Sequence, residues 1–345
     1  MTVPDRNADP RATTASLISA CWSTQVIHAA VRLGIPELLA QGPASSRELA
    51  ARIGIEARPV FRLLRALAVL GQCEHVGGDR FELTPAGQYL RKDVPGSLHV
   101  VALHWGGRTW SAFTHLERAV RTGAAWNHAG REGFYSMAER PDEASVLNRS
   151  MAQQTLAVAR TIVEAYDFSR FRSVIDLGGG YGALLSVVLQ AHPQLEGASA
   201  DLAYLESEAQ SFLRDAGVAD RARFIPTDFF ASVASGADGY LLKFIIHDWN
   251  DADAIQILRN TRAAAGPDGV VLVIEQIAPE HVECDPQQAL VIRGDIHMLA
   301  ATGGMERTAA EYRALLAQAG LELARIVPTA SSFSIIEAVP ARAEK

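Results

Sequence analysis

From Arg172 onward, apolar runs of strand length alternate with helical stretches of roughly 10–15 residues. This alternation constrains the chain more than any other feature. The runs lie at 172–177, 197–201, 222–226, 238–246 and 269–275. Near-continuous apolar strands need cover on both faces, so they read as a parallel sheet clothed by its own crossover helices. Two further runs, 321–328 and 332–338, are joined by a link too short for a crossover and must pair antiparallel. The expected fold class is α/β, a Rossmann-like doubly wound sheet with an antiparallel C-terminal strand pair.

The preceding half follows a different pattern. A helix from Ala15 to Val31 carries Leu17, Ile18, Cys21, Trp22, Val26, Ile27 and Val31 all round its surface. Such a helix needs cover on every side, which points to burial between two subunits. Ser45-Ser46-Arg47-Glu48 has capping-box spacing and opens a short helix. Pro59 starts another, which Gly71 closes. Strands at 72–76 and 80–83 flank the turn Gly77-Gly78-Asp79. Helix, helix, hairpin is the winged-helix order. Residues 84–165 read as mainly helical, ending in a long helix from Glu143 to Tyr166. The expected division is a disordered lead at 1–13, a winged-helix domain at 14–100, a helical linker at 101–166 and the sheet domain at 167–345.

Composition removes several function classes. Net charge is −7, and residues 1–100 hold 11 Arg/Lys against 9 Asp/Glu, so no dense basic patch supports a nucleic-acid partner or a DNA-binding regulator. Cys21, Cys73 and Cys284 are odd in number and dispersed. Neither a disulfide framework nor a CxxC site follows, and a cytoplasmic setting fits. The first twelve residues are polar, unlike a signal peptide, and no apolar run approaches the roughly 18 residues of a membrane span.

In open parallel sheets, ligands bind beyond the carboxyl ends of the strands. Those ends are rich in polar and glycine residues. The first strand runs into Asp176-Leu177-Gly178-Gly179-Gly180-Tyr181-Gly182, and the second ends at Asp201. Asp228-Phe229-Phe230 follow the third, His247-Asp248-Trp249 the fourth, and Glu275 ends the fifth. A glycine loop before a helix lets the backbone approach a ligand closely. Gly178-x-Gly180-x-x-Ala183 also satisfies a dinucleotide fingerprint, with Asp201 about 20 residues on, so an NAD(P) oxidoreductase competes at this point. Asp176, two residues before the first glycine, suits a cationic or amino-bearing ligand better than a pyrophosphate.

Val174–Gly182 (VIDLGGGYG) resembles the cofactor loop of class I S-adenosylmethionine (SAM) methyltransferases. Tyr240–Trp249 (YLLKFIIHDW) is similar to the matching stretch of small-molecule O-methyltransferases, of the plant caffeate/flavonoid and bacterial polyketide or phenazine types. Gly303–Thr308 (GGMERT) resembles that family's late signature. The likeness spans nearly the whole chain, since the family also carries an N-terminal winged-helix dimerisation domain. It implies a homodimer that methylates a hydroxyl of an aromatic small molecule in secondary metabolism. SAM would be consumed, S-adenosylhomocysteine released, and no metal needed. Carried over by residue, Asp176, Gly178, Gly180, Asp201, Asp228, Phe229 and Lys243 bind the cofactor. His247 is the general base, with Glu275 and Glu306 flanking and orienting it. Asn148, Met151, Met298 and Thr302 line the acceptor pocket, the first two from the linker. Phe229 stands where many relatives carry methionine, which preserves an apolar contact with adenine. The same resemblance leaves room for a ring-nitrogen acceptor, and for members that bind SAM yet hydroxylate or decarboxylate.

The residue types suit the chemistry. A sulfonium methyl is already electrophilic, so the enzyme must supply an aligned nucleophilic oxygen. A phenol with a pKa near 10 is mostly protonated at neutral pH, and a histidine near 6.5 can accept that proton as the bond forms.

Overall fold

In the computed structural model, residues 9–125 and 130–341 are described. They form two compact units that divide between Ser111 and Ala112. Residues 101–111 therefore belong to the first unit and 112–166 to the second.

The first unit is mainly helical. Of the lead expected to be disordered, residues 1–8 lie outside the described residues. From Pro10 the chain is helical, which corrects that expectation for 10–13. Asp9 caps the helix by accepting from the Arg11 N–H at 3.1 Å, and Pro10 supplies a first-turn residue that lacks the N–H a helix leaves unpaired. Helices Pro10–Ser19 and Cys21–Arg32 are nearly continuous across Ala20. Near their junction the apolar side chains stay uncovered within the protomer, with Leu17 55% exposed, Ile18 76% and Trp22 41%, whereas Val26 and Ile27 are half-buried and Val31 is buried. The capping box forms as expected, with Ser45 Oγ accepting from the Glu48 N–H and Glu48 Oε2 accepting from the Ser45 N–H. It opens helix Ser46–Ile53, and helix Ala57–Val69 follows. Strands β1 (Ala44–Ser45), β2 (Cys73–Gly77) and β3 (Arg80–Leu83) form a small antiparallel sheet in the order β1-β3-β2. Ile35, Leu49, Leu64 and Phe81 are its fully buried centre.

The second unit is built on a seven-stranded sheet. Its strands are β4 (Ser173–Leu177), β5 (Glu196–Asp201), β6 (Ala222–Pro226), β7 (Gly239–Lys243), β8 (Val270–Gln276), β9 (Leu321–Pro328) and β10 (Phe333–Pro340). The order is β6-β5-β4-β7-β8-β10-β9, with β9 and β10 antiparallel and the rest parallel. The apolar runs are explained by cover on both faces. Tyr240 and Leu242 pack against helices Asp251–Ala265 and Ala309–Gln318, whereas Leu241 turns to helices Pro141–Ala165 and Ala183–Ala191. The strand order reverses between β4 and β7, and ligands of open parallel sheets bind beyond the carboxyl ends at such a point.

One strand is shorter than its composition suggests. The run 238–246 is strand only through Lys243. Phe244 adopts a left-handed backbone with φ +54°, and a short 3-10 turn spans Ile246–Asp248. The apolar pattern continues, but the amides of Ile245, Ile246 and His247 turn to a carboxylate instead of a neighbouring strand.

Candidate active site

The glycine loop lies between β4 and helix Ala183–Ala191. Gly178 has φ +66° and Gly180 φ +55°, a region that favours glycine. A Cβ on Gly178 would lie 2.2 Å from Ile245 Cδ1, so that side chain would have to move to admit it. Around Gly180 the space is open. Asp201, at the end of β5, accepts from the Gly180 N–H at 2.8 Å and from the Leu202 N–H at 2.7 Å. Each of its oxygens retains a second lone pair for a ligand hydroxyl. Burial pushes the Asp201 carboxyl upward.

Asp176 is buried beneath the loop. Burial raises its pKa to about 7, helped by Asp201 and opposed by Lys243. Burial likewise lowers Lys243 to about 8, against the pull of Glu275 and Asp176. Asp228 accepts from the Phe230 N–H at 2.9 Å and from the Tyr135 hydroxyl at 2.9 Å. Phe229 and Phe230 meet Trp249 edge-on, at 6.2 and 4.8 Å between centroids, and the indole Nε1 is buried without a hydrogen-bond partner. A glycine cradle, a carboxylate with free lone pairs and an orphaned indole donor beside aromatic rings fit a nucleoside-bearing cofactor.

The second cluster centres on His247. Its Nδ1 pairs with Glu306 Oε1 at 2.8 Å and lies 3.8 Å from Glu275 Oε2, while Nε2 lies 3.9 Å from Asp248 Oδ1. His247, Glu275 and Glu306 are all buried. Glu275 Oε1 is gripped by three backbone N–H groups, of Ile245 at 3.1 Å, Ile246 at 3.0 Å and His247 at 3.3 Å. Burial opposes charge on the imidazole, but Glu275, Glu306 and Asp248 overcome it and raise His247 to about 10. The unperturbed value near 6.5 assumed from sequence is thus corrected by the surrounding carboxylates. Burial lifts Glu275 to about 7, reinforced by Glu306 and Asp248 and countered by His247. The donor atoms of the trio lie within 4.8 Å of one another, a spacing that would also suit a cation.

Gly304, in the stretch 303–308, has a packing cause. A Cβ on Gly304 would lie 1.9 Å from the His247 carbonyl oxygen, and the Met305 N–H donates to that oxygen at 2.9 Å. This close approach brings Glu306 to the imidazole. Arg307, to which sequence reading assigned no role, is fully buried in the same corner. It donates to the carbonyls of Ile246 at 3.0 Å and Trp249 at 2.8 Å, and to Asp251 Oδ1 at 2.8 and 3.1 Å. The motif itself was visible, but only the fold shows that its arginine staples the loop carrying His247.

The residues expected to line an acceptor pocket are placed as follows. Asn148 lies on helix Pro141–Ala165 and donates to the Ala144 carbonyl at 2.8 Å. Met151 is half-buried one turn further along. Met298 is buried near the end of helix Pro286–Ala301, and Thr302 Oγ1 donates to its carbonyl at 3.1 Å.

Comparison with known proteins places this geometry. Residues 113–322 match the O-methyltransferase domain and residues 15–93 the O-methyltransferase dimerisation domain. A phenazine O-methyltransferase of Lysobacter antibioticus is 38% identical, over 94% of this chain and 94% of its own. The O-demethylpuromycin O-methyltransferase of Streptomyces alboniger is 39% identical, over 92% of this chain and 86% of its own. Among solved structures, an O-methyltransferase from neocarzinostatin biosynthesis, in complex with SAM and 2-hydroxy-5-methyl naphthoic acid, superposes with a TM-score of 0.82. It is 30% identical, with 97% of this chain and 100% of that one covered. The chain belongs to the O-methyltransferase family, as an enzyme with the class I methyltransferase fold and a helical N-terminal domain.

Proposed function

We propose that this enzyme transfers the methyl group of SAM to a hydroxyl of an aromatic small molecule in secondary metabolism, with His247 as the proton acceptor. The observation that carries the reading is the Nδ1 contact of 2.8 Å between His247 and Glu306. A carboxylate on Nδ1 fixes the tautomer and leaves Nε2 to meet the acceptor's hydroxyl.

The glycine loop and Asp176 hold the methionine end of SAM, Asp201 the ribose, and Asp228 with Phe229 the adenine. Lys243 lies on the cofactor side. When bound, SAM supplies an electrophilic methyl group. In its neutral form His247 would take the proton of an acceptor hydroxyl held in line with that methyl group. Glu275 and Glu306 hold the imidazole and stabilise its charge. Asn148 and Met151, from the helical segment, border the acceptor with Met298 and Thr302. Aligning the reactants is worth about 7–11 kcal/mol and a general base about 10²–10⁴-fold, so positioning dominates. The uncovered side chains of Leu17, Ile18 and Trp22 support a homodimer through the N-terminal helices. Among the described residues no helix is long and apolar enough to cross a membrane.

Mass spectrometry of products from SAM and a panel of hydroxylated phenazines, naphthoates and quinone-derived rings tests the reading. A mass gain of one methyl on an oxygen is expected. Methylation on a ring nitrogen, or hydroxylation or loss of carbon dioxide in its place, would replace it. A thermal-shift comparison of SAM, S-adenosylhomocysteine, NAD and NADP checks the cofactor independently.

A further inference from the structure

Phe244 is the one non-glycine residue with positive φ among the described residues, at +54°. Its ring stacks on the His247 imidazole with centroids 4.5 Å apart and planes within 3°. Phe333 packs obliquely against the same ring at 4.5 Å, and Lys243 Nζ lies 4.1 Å from its centroid. A bulky side chain in the left-handed region is an outlier that needs a cause.

We propose that Phe244 is a positioning residue for methyl transfer, setting the plane of the His247 ring while its left-handed backbone builds the amide cradle for Glu275.

Two geometric consequences follow from one residue. The left-handed Phe244 is followed by Ile245 in the right-handed region, at φ −115° and ψ −53°. The Phe244 N–H still donates to the Ile274 carbonyl at 3.2 Å, so the chain leaves the sheet just after it. The next three amides, at the opening of the short 3-10 turn, converge on Glu275 Oε1. The ring acts differently. The ring turns only about its Cβ–Cγ bond, a torsion that is broad in histidine. The contact of Nδ1 with Glu306 sets that torsion within the angular tolerance of a hydrogen bond. The flat face of Phe244 narrows the rocking that is left, and parallel aromatic contact is favourable. Together the two contacts give Nε2 a single aim.

This inference rests on the reading of His247 as proton acceptor, and the experiment separates the two. Phe244→Leu keeps an apolar side chain without a flat face. Phe244→Gly suits the left-handed backbone but has no ring. Both should lower kcat at least about tenfold, as small misplacements at a reacting centre do. S-adenosylhomocysteine affinity should stay within about twofold, and Phe244→Tyr should recover most of kcat, since its ring offers the same face. Wild-type kcat in the Leu and Gly variants overturns the proposal. So does loss of kcat together with S-adenosylhomocysteine binding, because that is the mark of a general structural defect. If these variants fail to fold, NMR of the wild-type enzyme decides. The His247 ring protons, assigned with His247→Asn, should be shifted upfield by the stacked ring, and unshifted resonances would overturn the stack. Near-normal turnover by His247→Asn sinks the proton-acceptor reading instead, whatever the resonances show.

Discussion

Glu306 Oε1 and His247 Nδ1 stand 2.8 Å apart although 59 positions separate the residues in the chain. Both are buried, and a second carboxylate, of Glu275, lies 3.8 Å from the same nitrogen. The two carboxylates therefore orient the imidazole from its Nδ1 side and favour its charged form.

Replacing His247 with Ala should reduce turnover by about 10²–10⁴-fold for acceptors that are protonated at neutral pH. The glycine loop and Asp201 do not depend on the imidazole, so S-adenosylhomocysteine affinity measured by calorimetry should be nearly unchanged. Wild-type methylation by the variant would remove His247 from the reaction.

A histidine raised to about 10 is protonated at neutral pH. An acceptor phenol with a pKa near 10 is protonated too. The pair must lose one proton before methyl transfer, so turnover should rise with pH through the neutral range, by up to about tenfold per unit. For acceptors already ionised at neutral pH, the imidazolium is the competent form and the limb should flatten. Glu306→Gln keeps a hydrogen-bonding side chain but removes a charge that raises His247. Its limb should move to lower pH, and rate profiles on one phenolic acceptor will show whether it does.

Arg307→Ala would leave the buried carbonyls of Ile246 and Trp249 without their donor. An orphaned buried polar group costs about 1–3 kcal/mol, so the melting temperature should fall by several degrees. Activity should drop further than stability alone explains, because these carbonyls bracket His247. A melting curve and kcat measured below the transition separate the two effects.

Gly178→Ala and Gly180→Ala form a contrast. Both residues have positive φ, but only at Gly178 would the new methyl run into a neighbour, Ile245 Cδ1 at 2.2 Å. Gly180→Ala should cost about 1–2 kcal/mol of backbone strain, whereas Gly178→Ala should also deform the cradle and weaken S-adenosylhomocysteine binding more. Equal affinities for the two variants would show that Ile245 gives way to the new methyl without disturbing the cradle.

The periodicity of apolar residues determined the strands, the crossover helices and the antiparallel final pair, because burial on two faces demands that pattern. Local chemistry determined the Ser45 capping box and the Gly77-Gly78 turn, since their hydrogen bonds close within a few residues. The three motifs carried the family likeness and put the glycine loop, His247, Glu275 and Glu306 on the list of site residues. Tertiary structure alone decided the rest. The end of β7 at Lys243 is invisible in the run YLLKFII, because the amides that leave the sheet do so for a carboxylate on β8. The charge state of His247 depends on acids brought from two other segments. The duties of Phe244 and Arg307 arise only where distant backbone carbonyls, amides and rings converge. A one-dimensional pattern records which residues must be buried, but not which buried partners they meet.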